Sequence, residues 1–446
     1  MLYEELDDRF GRRKKRTVIF GMAGGTPPTP PTPPTPSVLE EKALNFYDFE
    51  GTLVASYDAD EIAGLTELPE APDHSADEVP LTFEEWNWTL EEIKEYHADM
   101  PEATINVGAT YHPTDGKLHM IVETFVDNYL NPLQLQFNQG AQIDWGDGTS
   151  TSAGSSEVKH FYAQKGRYHV TATTTSTNFS VYKNENIVPD ELYLNSTIAF
   201  LTTVGNVRLK RLVLPSSVAR VANNALESCY SLKAVVIPRS ITSLGNSFFS
   251  GCYSLGTVCL PCELQLAGGY IFNNCYRLRK VTIPRSSQHN GSFIFANTMI
   301  EDAILPKELE SVGTYFLSSC YVLKRVVLPQ AMTTIPSYMM YQDYNLEEIE
   351  LHEGIQSIGT YAFSDVNSLA TLIIPSTVTS IGNKALYSYR SLPSVTILAT
   401  TPPTLGTSAF YSSSIKKIYV PAESVEAYKS ATNWADYASK IEAIPA

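Results

Sequence analysis

Residues 231–254 read SLKAVVIPRSITSLGNSFFSGCYS, and residues 368–391 read SLATLIIPSTVTSIGNKALYSYRS. The two stretches agree slot by slot, and the shared pattern L-x-x-V-x-I-P also occurs at 209–215, 255–261, 278–284, 300–306 and 323–329. Its prolines fall at Pro215, Pro238, Pro261, Pro284, Pro306 and Pro329, and stepping on by 23 gives His352, Pro375, Leu398 and Pro421. Self-similarity at a fixed period near 23 residues is the signature of a solenoid.

The slots show what one repeat does. The sixth, third and first residues before the proline are apolar, as in Leu232, Val235 and Ile237, while the second and fourth vary. Such alternation describes a short strand with one face in and one face out. Proline ends the strand because it has no N–H for a ladder. A glycine follows seven residues later (Gly245, Gly268, Gly291, Gly313, Gly359, Gly382) and suits a left-handed or tight turn. An apolar pair such as Phe248-Phe249 comes next. One unit cannot bury both its strand face and this aromatic, but stacked units can.

On these residues, and on the C-terminal run ATTPPTLGTSAFYSSSIKKIYVPAESVEAYKSATNWADYASKIEAI, the chain resembles the BspA-like leucine-rich repeat surface proteins. The resemblance covers about half the chain. It implies a mainly β, curved solenoid and a surface adhesion or interaction role.

The chain has 446 residues and a formal net charge of −16. Residues 37–100 hold 18 acidic and 2 basic residues, so the acidity belongs to one segment. That excludes nucleic acid as its partner and marks a solvated surface. No stretch reaches the ~18 apolar residues needed to span a bilayer, so no membrane insertion is expected. Four of the six cysteines (Cys229, Cys252, Cys275, Cys320) share one repeat slot. Disulfides or a metal site would not follow the repeat period, so buried free thiols are expected, and Cys259-Leu-Pro-Cys262 is read the same way.

Residues 1–25 read as a flexible tail or anchor with a basic cluster (Arg12-Arg13-Lys14-Lys15-Arg16), and no evident signal peptide is seen. Residues 26–36, built on T-P-P, form a polyproline spacer at about 3.1 Å per residue. Residues 40–98 form an acidic module: a hairpin of 44–49 and 52–57 around Glu50-Gly51, a helical stretch at 58–65, an aromatic strand LTFEEWNW, and a short helix capped by Thr89. The order NFYDFEGTLVAS, LPEAP, FEEWNW resembles the Listeria–Bacteroides repeat, a β-grasp module, with at least one of Trp86 and Trp88 in its core.

Residues 103–180 are expected to form an immunoglobulin-like sandwich whose first strand is 105–111, followed by strands at 117–125, 133–137, 142–145 and 168–175. IDWGDGTSTS and VKHFYAQKGRYHVTATTT resemble a PKD domain through Asp144, Trp145, Gly146, Asp147, Gly148, His160, Tyr162, Gly166, Tyr168 and Val170. Two carboxylates in one turn are too few for a calcium cage, so no metal is expected there. Residues 181–421 carry the leucine-rich repeats, beginning with an imperfect cap at 181–208, and 422–446 form a helical C-terminal cap.

No catalytic motif appears: the eight histidines are scattered, and H-E-x-x-H, G-x-S-x-G and P-loop patterns are absent. The chain is therefore expected to be non-enzymatic and without cofactor. The candidate binding residues lie on the repeats. Stacking exposes the two varied strand slots as one sheet face, for which Arg211, Val236, Lys280, Ile304, Arg325 and Val327 are the expected ligand contacts. A second row, Tyr230, Tyr253, Tyr276, Tyr321 and Tyr344, sits beside the cysteines as either a packing ladder or aromatic contacts for a host-surface protein or glycan. Two carriers fit: a phage or prophage virion, anchored through residues 1–25 as an adhesin or a purely structural fibre or decoration protein, or a secreted adhesin on a bacterial cell surface.

Overall fold

The computed structural model describes residues 39–125, 132–182, 189–202 and 208–445. The expected tail and spacer lie outside them. Residues 39–446 form one compact unit. The architecture is mainly β, with a parallel solenoid and a few short helices.

The chain enters as a four-stranded sheet. Strands β1 (Leu44–Tyr47) and β2 (Leu53–Tyr57) make the expected hairpin, turned at Gly51 with φ +83°. Helix α1 (Ala59–Ile62), β3 (Leu81–Trp86) and α2 (Leu90–Asp99) follow. Thr89 caps α2 by accepting the Glu92 N–H at 3.2 Å, while the Glu92 carboxylate accepts the Thr89 N–H. Strand β4 (Ile105–Pro113) closes the sheet in the order β2-β1-β4-β3, parallel to β1 and antiparallel to β3. This corrects the expectation for residues 105–111, which pair with the acidic module and not with the sandwich. The strand is buried along nearly its whole length, as a central strand is, so alternation could not tell which sheet it joins. Both tryptophans are core: Trp86 Nε1 donates to the Pro69 carbonyl at 3.0 Å.

A two-sheet sandwich comes next, with strands β5 (Leu118–Thr124), β6 (Leu133–Phe137), β7 (Ala141–Asp144), β8 (Ser150–Ala153), β9 (Glu157–His160), β10 (Gly166–Thr174) and β11 (Asn178–Val181). Trp145 is fully buried, and its carbonyl accepts the Tyr162 hydroxyl at 3.0 Å. Asp147 accepts from Thr149 and faces His160 at 2.8 Å, and among the described residues no group of three metal-ligating side chains occurs.

The sandwich has no boundary with the solenoid. Strands β12 (Pro189–Tyr193) and β13 (Phe200–Leu201) extend its two sheets, and β14 (Arg211–Val213) and β15 (Arg220–Val221) add the first repeat in parallel. From there the turns supply one strand before the proline slot, except at Pro284 where none forms, and a second strand after it. The register advances one repeat per rung, as in Val235↔Val258, Val326↔Ile349 and Ile358↔Ile381. One hydrophobic core runs from Leu118 to Ile441. The far end is closed by short helices, including α3 (Val425–Ser430), and by a last strand Ile441–Ala443 on Lys417–Val420. There Tyr428 and Trp434 donate to the Ala399 and Pro403 carbonyls, each at 2.7 Å.

The repeat glycines have a different reason from the expected one. Those at Gly268 and Gly291 are not left-handed; a Cβ on either would fall inside the backbone of the preceding turn. The left-handed residue lies two places later and is usually not glycine: Ser247, Tyr270, Phe293, Tyr315, Tyr338, Tyr361 and Lys384 all have φ between 51° and 61°.

Candidate functional site

The strand face of the solenoid is the first surface to test, and its first turns are not open. The acidic module lies across them. Val236, expected on the ligand face, is 5% exposed and packs with Tyr47, Leu53 and Cys259. The module approaches so closely that a Cβ on Gly108 would lie 2.5 Å from Val236 Cγ2. Ile304 is half-buried against the module core.

Buried polar groups stitch the contact. Asn87 Nδ2 donates to the Ile237 and Cys259 carbonyls, both at 3.0 Å, and its Oδ1 accepts the Gly108 N–H at 2.8 Å. Trp88 Nε1 donates to the Leu260 carbonyl at 2.6 Å and the Tyr96 hydroxyl to the Ile283 carbonyl at 2.8 Å. Thr282 Oγ1 accepts the Asn106 N–H and donates to the Thr104 carbonyl. Each bond satisfies a group that the contact removes from water.

Charges ring this interface. Arg211 pairs with Glu50 at 2.6 Å, Lys280 with Glu41 at 3.1 Å and Arg239 with Glu92 at 3.1 Å. Arg285 meets Glu95 and Asp99, Lys307 meets Asp99, and Arg325 meets Glu102. The guanidinium of Arg325 is pushed up, first by its hydrogen bond to Glu102. Five of the six expected ligand contacts are therefore held by the chain's own module. Val327, 36% exposed, lies past its edge. The sequence separated an acidic segment from a partly basic face, and the fold brings the two together.

The tyrosine row remains open. Tyr230, Tyr253, Tyr276, Tyr321 and Tyr344 are 38–50% exposed. Tyr230 stacks on Tyr253 at 4.6 Å, Tyr253 on Tyr276 at 5.3 Å and Tyr321 on Tyr344 at 5.9 Å between ring centroids. Met299 occupies the slot between the two groups. The rings are thus a packing ladder and an exposed edge at once. A second ladder escaped the sequence reading: Tyr270, Phe293, Tyr315, Tyr338 and Tyr361 stack at 4.1–4.9 Å, and Lys384 Nζ continues it 5.3 Å from the Tyr361 ring. Its signal lies in the sequence, since the ring stands two residues after the repeat-glycine slot, directly before the buried apolar pair. Desolvation pushes the Tyr315 hydroxyl up to about 12.

The six cysteines are buried and stand outside any disulfide, and burial pushes the thiols of Cys252, Cys259, Cys262, Cys275 and Cys320 up, which keeps them protonated and unreactive. Among the described residues no helix is long and apolar enough to cross a membrane.

A family profile described as the BspA type leucine rich repeat region matches six copies over residues 204–324 and 315–433, just over half the chain. The chain belongs to the BspA-type leucine-rich repeat family. Solved structures similar to it include a leucine-rich repeat protein from Bacteroides ovatus, 20% identical over 54% of this chain and 68% of that one, with a TM-score of 0.40. The pneumococcal vaccine antigen PcpA is 17% identical over 59% and 81%, with a TM-score of 0.36. A leucine rich cell surface protein from Faecalibacterium prausnitzii is 17% identical over 60% and 91%, with a TM-score of 0.30. No curated protein matches the chain. The BspA-type repeats are a leucine-rich repeat class that is generally non-enzymatic.

Proposed function

We propose that this BspA-type protein is a non-catalytic adhesion protein displayed on a surface, which meets a host-surface protein or glycan through its solenoid. The observation that carries the reading is the open tyrosine row. It remains exposed after the chain's own module has taken the first turns of the strand face, and tyrosine is a favoured anchor at such contacts. Replacing Tyr253 and Tyr276 together by Ala is expected to weaken attachment to target cells at least tenfold. Attachment at wild-type strength would remove the row from the site.

The acidic module is assigned as β-grasp of the Listeria–Bacteroides type, supported by its central parallel pair β1–β4 and its packed helix. The sandwich is assigned as PKD-like, supported by the buried Trp145 under the Asp147 turn. For the carrier we favour a phage or prophage virion over a bacterial surface, on the Thr-Pro run that follows the basic residues 1–25 in the sequence. Removing residues 1–36 is expected to leave a folded protein that no longer enters particles. Undiminished incorporation would exclude this anchoring role.

A further inference from the structure

The second sheet of the solenoid carries a groove that neither the module nor the tyrosine row uses. Over turns six to nine it measures about 350 Å³ and is lined by Ser337, Ser357, Thr360, Ser380, Asn383 and Thr404, with Gly359, Gly382 and Gly406 as its floor. The floor is explained by stacking, because a Cβ on any of these glycines would collide with the preceding turn. Depth alone therefore indicates nothing.

Stacking explains the walls only in part, because several of their side chains bond from one turn to the next. One wall is the first residue of each second strand, and from Ser243 to Thr404 it is always Ser, Thr or Gln. The other is the residue after each floor position, and from Asn246 to Thr407 it is Asn, Gly, Ser or Thr. Neither row contains a charge through eight turns. The strand face of the same solenoid, stacked at the same spacing, accepts Arg211, Lys280, Asp302, Arg325, Glu348 and Lys417. Rows of charge are thus compatible with this fold, and the groove keeps short polar side chains from Ser243 to Thr407.

The groove residues are half-buried or exposed and partly tie turn to turn. Ser357 bonds Thr334 at 2.9 Å, the Thr360 N–H donates to Ser337 Oγ at 3.1 Å, and the Thr407 N–H donates to Asn383 Oδ1 at 2.8 Å. Each side chain keeps further capacity, since a hydroxyl both donates and accepts and an amide has two N–H donors. The second aromatic ladder runs directly beside this row, because Tyr338 and Tyr361 follow Ser337 and Thr360 in sequence. An incoming peptide strand has no free backbone edge here, because successive second strands already pair with one another.

We propose that this groove binds an uncharged polysaccharide, laid along the solenoid axis and held by hydroxyl and amide hydrogen bonds beside Tyr338 and Tyr361, with the Lys384 amine at the next position of that row. At about 4.8 Å per strand the four turns span on the order of 15–20 Å, room for a few sugar units. The proposal deepens the adhesion reading and rests on it, but uses a different surface from the tyrosine row.

The test is binding of the full chain to starch-, cellulose- and mannan-derived oligosaccharides, with heparin as the charged counterpart. At least one neutral glycan is expected to bind, and heparin is expected to bind more weakly. Ser380→Tyr, which fills the groove without adding charge, should weaken the neutral glycan at least tenfold with an unchanged melting temperature. Thr404→Tyr, at an exposed position, serves as the second variant should Ser380→Tyr disturb folding. The Tyr253 and Tyr276 double variant should bind the glycan as wild type does. Absence of binding to every neutral glycan, or wild-type binding by the groove variants, overturns the proposal. Glycan binding lost only in the tyrosine double variant would sink the groove and keep the adhesion reading.

Discussion

Val236 and Ile373 occupy the same slot of two different repeats, yet one is 5% and the other 55% exposed. The first turns of the strand face carry the acidic module, and the last turns carry nothing within the described chain. A repeat fixes which side chains point away from its own core. It does not fix whether that outward face meets water or another module. The slot that reads as a binding surface at Ile373 is interior at Val236, and the difference comes from chain more than a hundred residues away.

The contrast is sharpest in a pair of substitutions. Val236→Asp should cost about 3–5 kcal/mol, because it places a charge without a partner in a closed interface. Ile373→Asp should change stability by no more than ~0.5 kcal/mol. Chemical denaturation of both variants decides the matter, and equal costs would mean that the module does not sit on the strand face.

The titration of His289 probes the covered half next. It is fully buried, its Nε2 lies 3.0 Å from the Pro284 carbonyl, and its Nδ1 accepts the Leu266 N–H at 3.4 Å. Desolvation lowers its pKa from 6.5 to about 4. Between those values the unfolded chain binds the extra proton, so stability rises with pH through this window and falls as pH drops from 6.5 towards 4. The slope should approach ~1.4 kcal/mol per pH unit within that window. His289→Gln should remove it, and a variant with the same slope as wild type would assign the effect to other groups.

Asn87→Ala comes third. It leaves the Ile237 and Cys259 carbonyls and the Gly108 N–H without this partner and should cost about 1–3 kcal/mol. A cost near zero would mean that water replaces the amide and that the interface is wet.

The rim should matter least. Glu50→Gln breaks an ion pair with a half-exposed Arg211 and should change stability by no more than ~1 kcal/mol, with less effect in high salt. Reducing agent should leave the melting temperature unchanged, because the six cysteines stand outside any disulfide; a fall of several degrees would reveal one.

The sequence alone determined the repeat, its register and its inward slots, because period and alternation are local properties of the chain. It determined the thiol row and the capped helix for the same reason, since Thr89 and Glu92 are neighbours in sequence. It showed the acidity of residues 37–100 and the basic positions Arg211, Lys280 and Arg325 as separate facts. Tertiary structure decided that they face one another. It also decided that 105–113 belongs to the module sheet, that the glycines relieve crowding between turns, and that the sandwich sheets continue into the solenoid without a boundary. Each of these depends on which surfaces meet across long stretches of chain, and a slot in a repeat carries no record of its distant neighbours.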